Sequence, residues 1–225
     1  MLWALVPVKE LDKSKQRLAA ALDPCERAGL VLAMLRDVLT AIHSITELDG
    51  ILVVSRSLEA RALAREFGME TFVESAESDH SRAVTEANRY LNHRYRPQTT
   101  LALPGDVPRL TAEDVHQIIA GHDRVTLVPN DSGEGTNAVL ASPPNVITYH
   151  FGVGSLRKHT KSAQAVGISP SIVRNANIAK DIDEPEDLVQ AQAELPSSFT
   201  RDYLESSGIA TRILRDGISP SVKYG

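Results

Sequence analysis

One cysteine, Cys25, in 225 residues leaves no internal disulfide framework and no thiolate metal cluster, and suits a reducing compartment. At the start of a helix its thiol is exposed to the dipole, but no base partner accompanies it, so it is read as structural. A basic excess is also lacking. The net charge is -5, with 42% hydrophobic and 24% charged residues, which argues against both disorder and a nucleic-acid footprint. Any nucleotide bound is then a small molecule. Long apolar runs are missing too: the segment from Met1 to Val8 has no basic flank before it and is broken by Pro7 and Lys9, too short for a signal or a membrane span. A cytoplasmic protein without a membrane partner is expected. The seven histidines, among them His43, His80, His150 and His159, show no ligand spacing and read as surface or packing residues, so zinc is not expected. Neither a Walker A lysine motif nor a dinucleotide fingerprint follows the first strand, and no repeat is present.

What is there is a β-α rhythm, long enough for one catalytic α/β unit with a small appendage. Leu2 to Val8 reads as a buried strand that feeds a basic loop. Asp23, Pro24 and Glu26 form an N-terminal helix signature, followed by Leu30, Val31, Met34, Leu35, Val38, Leu39 and Ile42 at helical spacing. Ile51 to Ser55 predicts a second strand, Leu58 to Phe67 a helix closed by Gly68, and Arg82 to Tyr95 a helix stopped before Pro97. Thr100 to Leu103 predicts a strand and Thr111 to Asp114 opens another helix. Val125 to Val128 and Asn137 to Leu140 read as strands around a glycine-rich turn. Such alternation implies a parallel or mixed sheet covered on both faces, with ligands beyond the strand C-termini. Periodicity fades near Leu195, so residues 1–195 are taken as the domain and 196–225 as an extension packing on it or on a second subunit, which would make a homodimer.

Chemistry concentrates at the strand ends. Asp106 sits in a rigid turn between Pro104-Gly105 and Pro108, and is either a cleft carboxylate or a turn aspartate. Asp181 and Asp183, two apart in an extended segment, point to one face while Ile182 points to the other; the alternative is an acidic cluster at a helix start before Pro185. Three carboxylates from two loops suit Mg²⁺, a hard cation that also bridges phosphates. The turn from Ser132 to Asn137 offers backbone amides and the Thr136 hydroxyl to phosphate, or is simply a hairpin. Phe151 to Ser155, with Gly152 and Gly154, precedes a helix and reads as an anion site or an ordinary cap. Lys9, Lys15 and Arg17 offset phosphate charge, or form a solvated loop.

The ordered set Val6-Pro7-Val8-Lys9, Lys15-x-Arg17-Leu18, Pro104-Gly105-Asp106-Val107-Pro108, Gly135-Thr136-Asn137, Phe151-Gly152-x-Gly154-Ser155 and Asp181-Ile182-Asp183-Glu184-Pro185 resembles the 2-phospho-L-lactate guanylyltransferase family of coenzyme F420 biosynthesis over nearly the whole chain. The resemblance implies a glycosyltransferase-A-like nucleotidyltransferase domain. It implies GTP as donor and 2-phospho-L-lactate, phosphoenolpyruvate or 3-phospho-D-glycerate as acceptor. It further implies Asp106, Asp181 and Asp183 as Mg²⁺ ligands and Lys9, Thr136, Gly152 and Ser155 around the acceptor. Lys9 and Asp106 are the expected catalytic residues; Lys15, Arg17 and Asn137 complete the expected substrate contacts. Ser81 and Arg82 depart from the Leu-Asn that many members carry, and Glu134 adds an acid beside the phosphate site. Competing readings are a nucleotidyltransferase for another base or a sugar phosphate, a glycosyltransferase using Asp181 and Asp183, and a non-catalytic nucleotide-binding protein.

Overall fold

A computed structural model describes residues 1–76 and 78–215. The last ten residues of the expected extension, 216–225, lie outside the described residues. Seven strands form one sheet in the order β3-β2-β1-β4-β6-β5-β7. The strands are β1 (Leu2–Pro7), β2 (Gly50–Val54), β3 (Glu70–Phe72), β4 (Thr99–Ala102), β5 (Val125–Pro129), β6 (Thr136–Ala141) and β7 (Ser171–Ile172). β1 runs parallel to both β2 and β4, with Leu5 opposite Leu52 and Ala102, and β6 runs antiparallel to β4 and β5.

Nine described helices cover the two faces: α1 (Pro24–His43), α2 (Leu58–Glu66), α3 (His80–Arg94), α4 (Ala112–Ala120), α5 (Ser155–Gln164), α6 (Ala176–Ala179), α7 (Pro185–Glu194), α8 (Phe199–Ser206) and α9 (Ile209–Arg215). Alternation along β1 divides the core. Ala4 and Val6 join Leu30, Met34, Leu35 and Val38 of α1, whereas Trp3 and Leu5 join Val84, Ala87 and Leu91 of α3 and Ala163 of α5. Both faces are buried, as continuous apolar strands require. None of the described helices is long and apolar enough to cross a membrane.

The strong local signals are realised as hydrogen bonds. Asp23 accepts from Glu26 N and Glu26 accepts from Asp23 N, both at 2.9 Å, with Pro24 opening α1. Thr111 and Asp114 form the same reciprocal cap on α4. α3 starts two residues earlier than the pattern indicates, because Asp79 accepts from Arg82 N and caps it. Gly68, at φ 70°, follows α2 where the chain turns toward β3. Besides the two helices that follow Leu195, the short elements β3, β7 and α6 went unanticipated. They have three, two and four residues, too few for either periodicity to register.

Because β1 neighbours β2 on one side and β4 on the other, the connections leave in opposite directions at the C-termini of β1 and β4. That switch point opens a crevice in doubly wound sheets. Val8 and Lys9 leave β1 at this edge, Pro104 to Asp106 follow β4, and Thr136 begins the antiparallel β6 there.

Candidate active site

A cleft of about 550 Å³ lies over this edge, and Lys9, Lys15, Arg17, Asp106, Thr136, Asn137, Gly152, Ser155, Asp181 and Asp183 all line it. At its centre is Lys15, a non-glycine residue at φ 51° that links two 3₁₀ turns, Leu11–Lys13 and Gln16–Ala20. Its side chain is only 7% exposed, and Nζ lies 2.5 Å from Asp106 Oδ2 and 3.5 Å from Asp183 Oδ1. Arg17 Nη1 donates to Asp183 Oδ2 at 3.0 Å from the solvent side. Lys9, by contrast, is exposed at the mouth.

Burial alone would lower the Lys15 pKa, but Asp106, Asp183 and Asp181 outweigh it and hold the ammonium above its ordinary value. Burial also works to raise Asp106, yet Lys15 holds its carboxyl below the usual range. Asp181 goes the other way: burial, then the charge of Asp106, pushes it up. Ile182, 4% exposed, anchors this extended segment in the core, and Ile182 N donates to Asp106 O at 3.4 Å, joining the two acidic loops. Both readings of the Asp181 to Asp187 segment hold at once, because Asp187 accepts from Asp183 N and Glu184 N at the start of α7 while Asp181 and Asp183 line the cleft.

The three carboxylates do not form a ready-made cage: among the described residues no group of three acidic, histidine or cysteine side chains is placed to hold a metal. Lys15 Nζ stands between Asp106 and Asp183 instead. The donor set nevertheless fits Mg²⁺, which uses one or two carboxylates together with water and substrate phosphates rather than an all-protein cage. Three acids around one buried ammonium leave the charge to receive it.

The glycine-rich turn does not offer its amides to phosphate. Gly133 N donates to Asn130 O, Glu134 N to Ser132 Oγ, Gly135 N to Asn130 Oδ1 and Thr136 N to Ser155 Oγ, so the turn is the self-satisfied hairpin between β5 and β6. At the start of α5, Ser155 N bonds Gly152 O and Leu156 N bonds Glu134 O, so these two amides are taken within the protein, while Gly152, Val153 and Gly154 line the cleft. Thr136 and Ser155 bring two hydroxyls to the lining of the cleft. Asn137 is a strut: Nδ2 donates to Ile178 O at 2.8 Å and to Ala179 O at 3.3 Å, fixing the chain just before Asp181.

Two contributors escaped sequence reasoning. His80 lines the cleft with its ring 4.3 Å from that of Phe151, and burial lowers its pKa to about 4. Ser81, the departure noted in the sequence, accepts from Phe151 N at 2.8 Å and ties α3 to the Gly152–Gly154 loop. A histidine and a serine at a helix start give no signal beyond ordinary capping.

The mixed sheet and its order have the fold of nucleotide-diphospho-sugar transferases. A crystallised chain from Desulfovibrio desulfuricans G20, a candidate nucleotide-diphospho-sugar transferase, superposes with a TM-score of 0.73 at 14% identity, covering 94% of this chain and 97% of its own. More particularly, the chain belongs to the family described as guanylyl transferase CofC like, whose model matches residues 2–218. The phosphoenolpyruvate guanylyltransferase of Rubrobacter xylanophilus is 37% identical over 85% of this chain and 93% of its own. The 2-phospho-L-lactate guanylyltransferase of Methanobrevibacter ruminantium is 30% identical over 96% and 95%. The protein is thus an enzyme of the guanylyltransferase type.

Proposed function

We propose that this guanylyltransferase moves GMP from GTP to the phosphate of a small phospho-acid, the step that supplies an activated precursor for coenzyme F420. Phosphoenolpyruvate is favoured over 2-phospho-L-lactate and 3-phospho-D-glycerate. The preference rests on the relatives of 31% to 38% identity, which are named for phosphoenolpyruvate. The observation that carries the chemistry is the cleft itself, in which a buried lysine faces three carboxylates while two hydroxyls remain open to an anion.

In this reading an oxygen of the acceptor phosphate attacks the α-phosphorus of GTP in line. A new phosphorus–oxygen bond forms as the bond to the bridging oxygen breaks, and pyrophosphate leaves with that electron pair. The acceptor phosphate is already ionised near neutral pH, so orientation does most of the work and no general base is required. Mg²⁺ held by Asp106 and Asp181, with Asp183 beside them, would supply charge neutralisation for the triphosphate. Lys15 and Arg17 hold the carboxylate loops in register and remain within reach of phosphate oxygens, and Lys9 at the mouth adds positive potential. Thr136 and Ser155 orient the acceptor.

Pyrophosphate release with Mg²⁺, measured for GTP, ATP, CTP and UTP against each of the three acids, tests the proposal. Release with GTP and phosphoenolpyruvate, lowered at least a hundredfold in Asp106→Asn, is expected from the loss of transition-state charge stabilisation. A different base or acid at higher kcat/KM would reassign the substrate, and a folded protein silent with all twelve pairs would overturn the activity.

A further inference from the structure

The two open hydroxyls are governed by a buried histidine. Thr136 N–H donates to Ser155 Oγ at 2.7 Å, and Thr136 Oγ1 lies 3.1 Å from His159 Nδ1. His159 sits one turn beyond Ser155 on α5, fully buried, with its ring edge-on to Phe151 at 5.0 Å. Its second ring nitrogen, Nε2, is 2.8 Å from the backbone N–H of His150. A backbone N–H only donates, so Nε2 is the acceptor and carries no hydrogen. Burial, aided by the nearby His150, His80 and Lys158, lowers the pKa of His159 to about 4 and leaves the ring neutral. A neutral imidazole with a bare Nε2 carries its hydrogen on Nδ1. That hydrogen donates to Thr136 Oγ1, and Thr136 cannot donate in return.

We propose that His159 is a positioning residue that fixes its Nδ1–H on Thr136 and thereby leaves the Thr136 O–H free to donate into the cleft. Ser155 is placed alike, because its oxygen accepts from Thr136 N–H; neither hydroxyl has a further protein partner among the described residues. The acceptor pocket so presents two O–H donors, matched to an acceptor-only ligand such as an ionised phosphate or carboxylate oxygen. The inference deepens the reading of Thr136 and Ser155 as acceptor contacts, but the tautomer it assigns belongs to the ligand-free protein.

Two measurements test it. In the full chain labelled with ¹⁵N-histidine, two-bond proton–nitrogen correlation at neutral pH is expected to show His159 neutral with the hydrogen on Nδ1, its signals identified by their loss in His159→Gln. A hydrogen on Nε2, or an imidazolium, overturns the proposal. In kinetics, His159→Gln can still accept the His150 N–H but has no donor at the Nδ1 position. The acceptor KM is expected to rise about tenfold with the GTP KM unchanged, a change typical of one charge-assisted hydrogen bond. His159→Asn, which can place an amide N–H where Nδ1–H stood, is expected to restore most of it. Thr136→Val should raise the acceptor KM alike, and adding His159→Gln to it should cause no further rise. Equal rises in both KM values, or full additivity of the two substitutions, would mean that His159 only packs. Absence of turnover with any phospho-acid would sink the functional reading alone, since the tautomer is read from the spectrum.

Discussion

Lys15 adopts a left-handed backbone that costs a non-glycine residue roughly 1 kcal/mol or more, and its ammonium is buried among acids. Asp181 bears the converse burden, a carboxylate raised first by burial and then by Asp106. The sign of its linkage follows. A carboxyl that is raised on folding contributes stability below its unfolded pKa of about 3.9, and that contribution is lost as pH climbs through the folded value. At pH 7, then, the ionised Asp181 works against the ligand-free fold, as groups kept for ligand binding commonly do. Asp181→Asn is expected to raise Tm at pH 7, with the gain shrinking toward pH 4, while turnover falls about a hundredfold if the carboxylate serves the triphosphate. Thermal melts at both pH values read this, and a Tm lowered at pH 7 would refute it. The carboxylates were legible in the sequence because Asp106 follows a strand between prolines and Asp181 and Asp183 flank the anchoring Ile182 in an extended segment before Pro185. The roles of Lys15 and His159 were not, since they depend on which charges and backbone donors the tertiary fold brings alongside.

At the scale of elements, the acidic loop is held by a network around Asp114, a buried side chain of α4. Its carboxylate accepts from Thr111 N at 2.8 Å, Asn175 Nδ2 at 2.7 Å and Asn177 Nδ2 at 3.0 Å, and Asn175 in turn caps α6. Asn137 clasps the other side of the same stretch. α6 has only four residues, too short to persist on its own hydrogen bonds, so these side chains define where Asp181 begins. Asp114→Ala removes a charged acceptor and strands buried amide donors. A loss of about 3 kcal/mol is expected, or roughly 6–12 °C in Tm, with kcat/KM reduced beyond what the unfolded fraction explains. Asp114→Asn, which keeps one acceptor oxygen, should lie between. The Thr111–Asp114 cap was plain in the sequence, whereas its second use against Asn175 was hidden because the partners are some sixty residues apart.

Over the whole molecule, α8 and α9 close the face of α1 turned away from the cleft. Leu204, Ile209, Ala210 and Ile213 enter the same core as Leu30 and Met34, and Asp37 of α1 accepts from Phe199 N and Thr200 N. Arg212 reaches both carboxylate oxygens of Glu26 at 2.8 Å. Composition suggested no periodic helix here because α8 and α9 have eight and seven residues. The close approach depends on Gly29. A Cβ at this position would lie 2.3 Å from the Tyr203 hydroxyl, which donates to Glu26 O at 3.1 Å. Two effects of Gly29→Ala therefore oppose each other. Alanine favours the helix interior by about 1 kcal/mol, while overpacking against Tyr203 costs roughly 1–3 kcal/mol and displaces α8. The overlap is with a ring held by its own hydrogen bond, so the cost should win and Tm should fall in the otherwise unaltered protein. In a Tyr203→Ala background the clash is gone and only the helix preference remains. There Gly29→Ala should raise Tm by roughly 2–4 °C, and a double-mutant cycle in thermal melts reads the reversal of sign. Should the substitution act in the same direction in both backgrounds, Tyr203 does not set the spacing of α1 and α8, and the seating of the C-terminal helices rests on the apolar contacts of Leu204, Ile209 and Ile213.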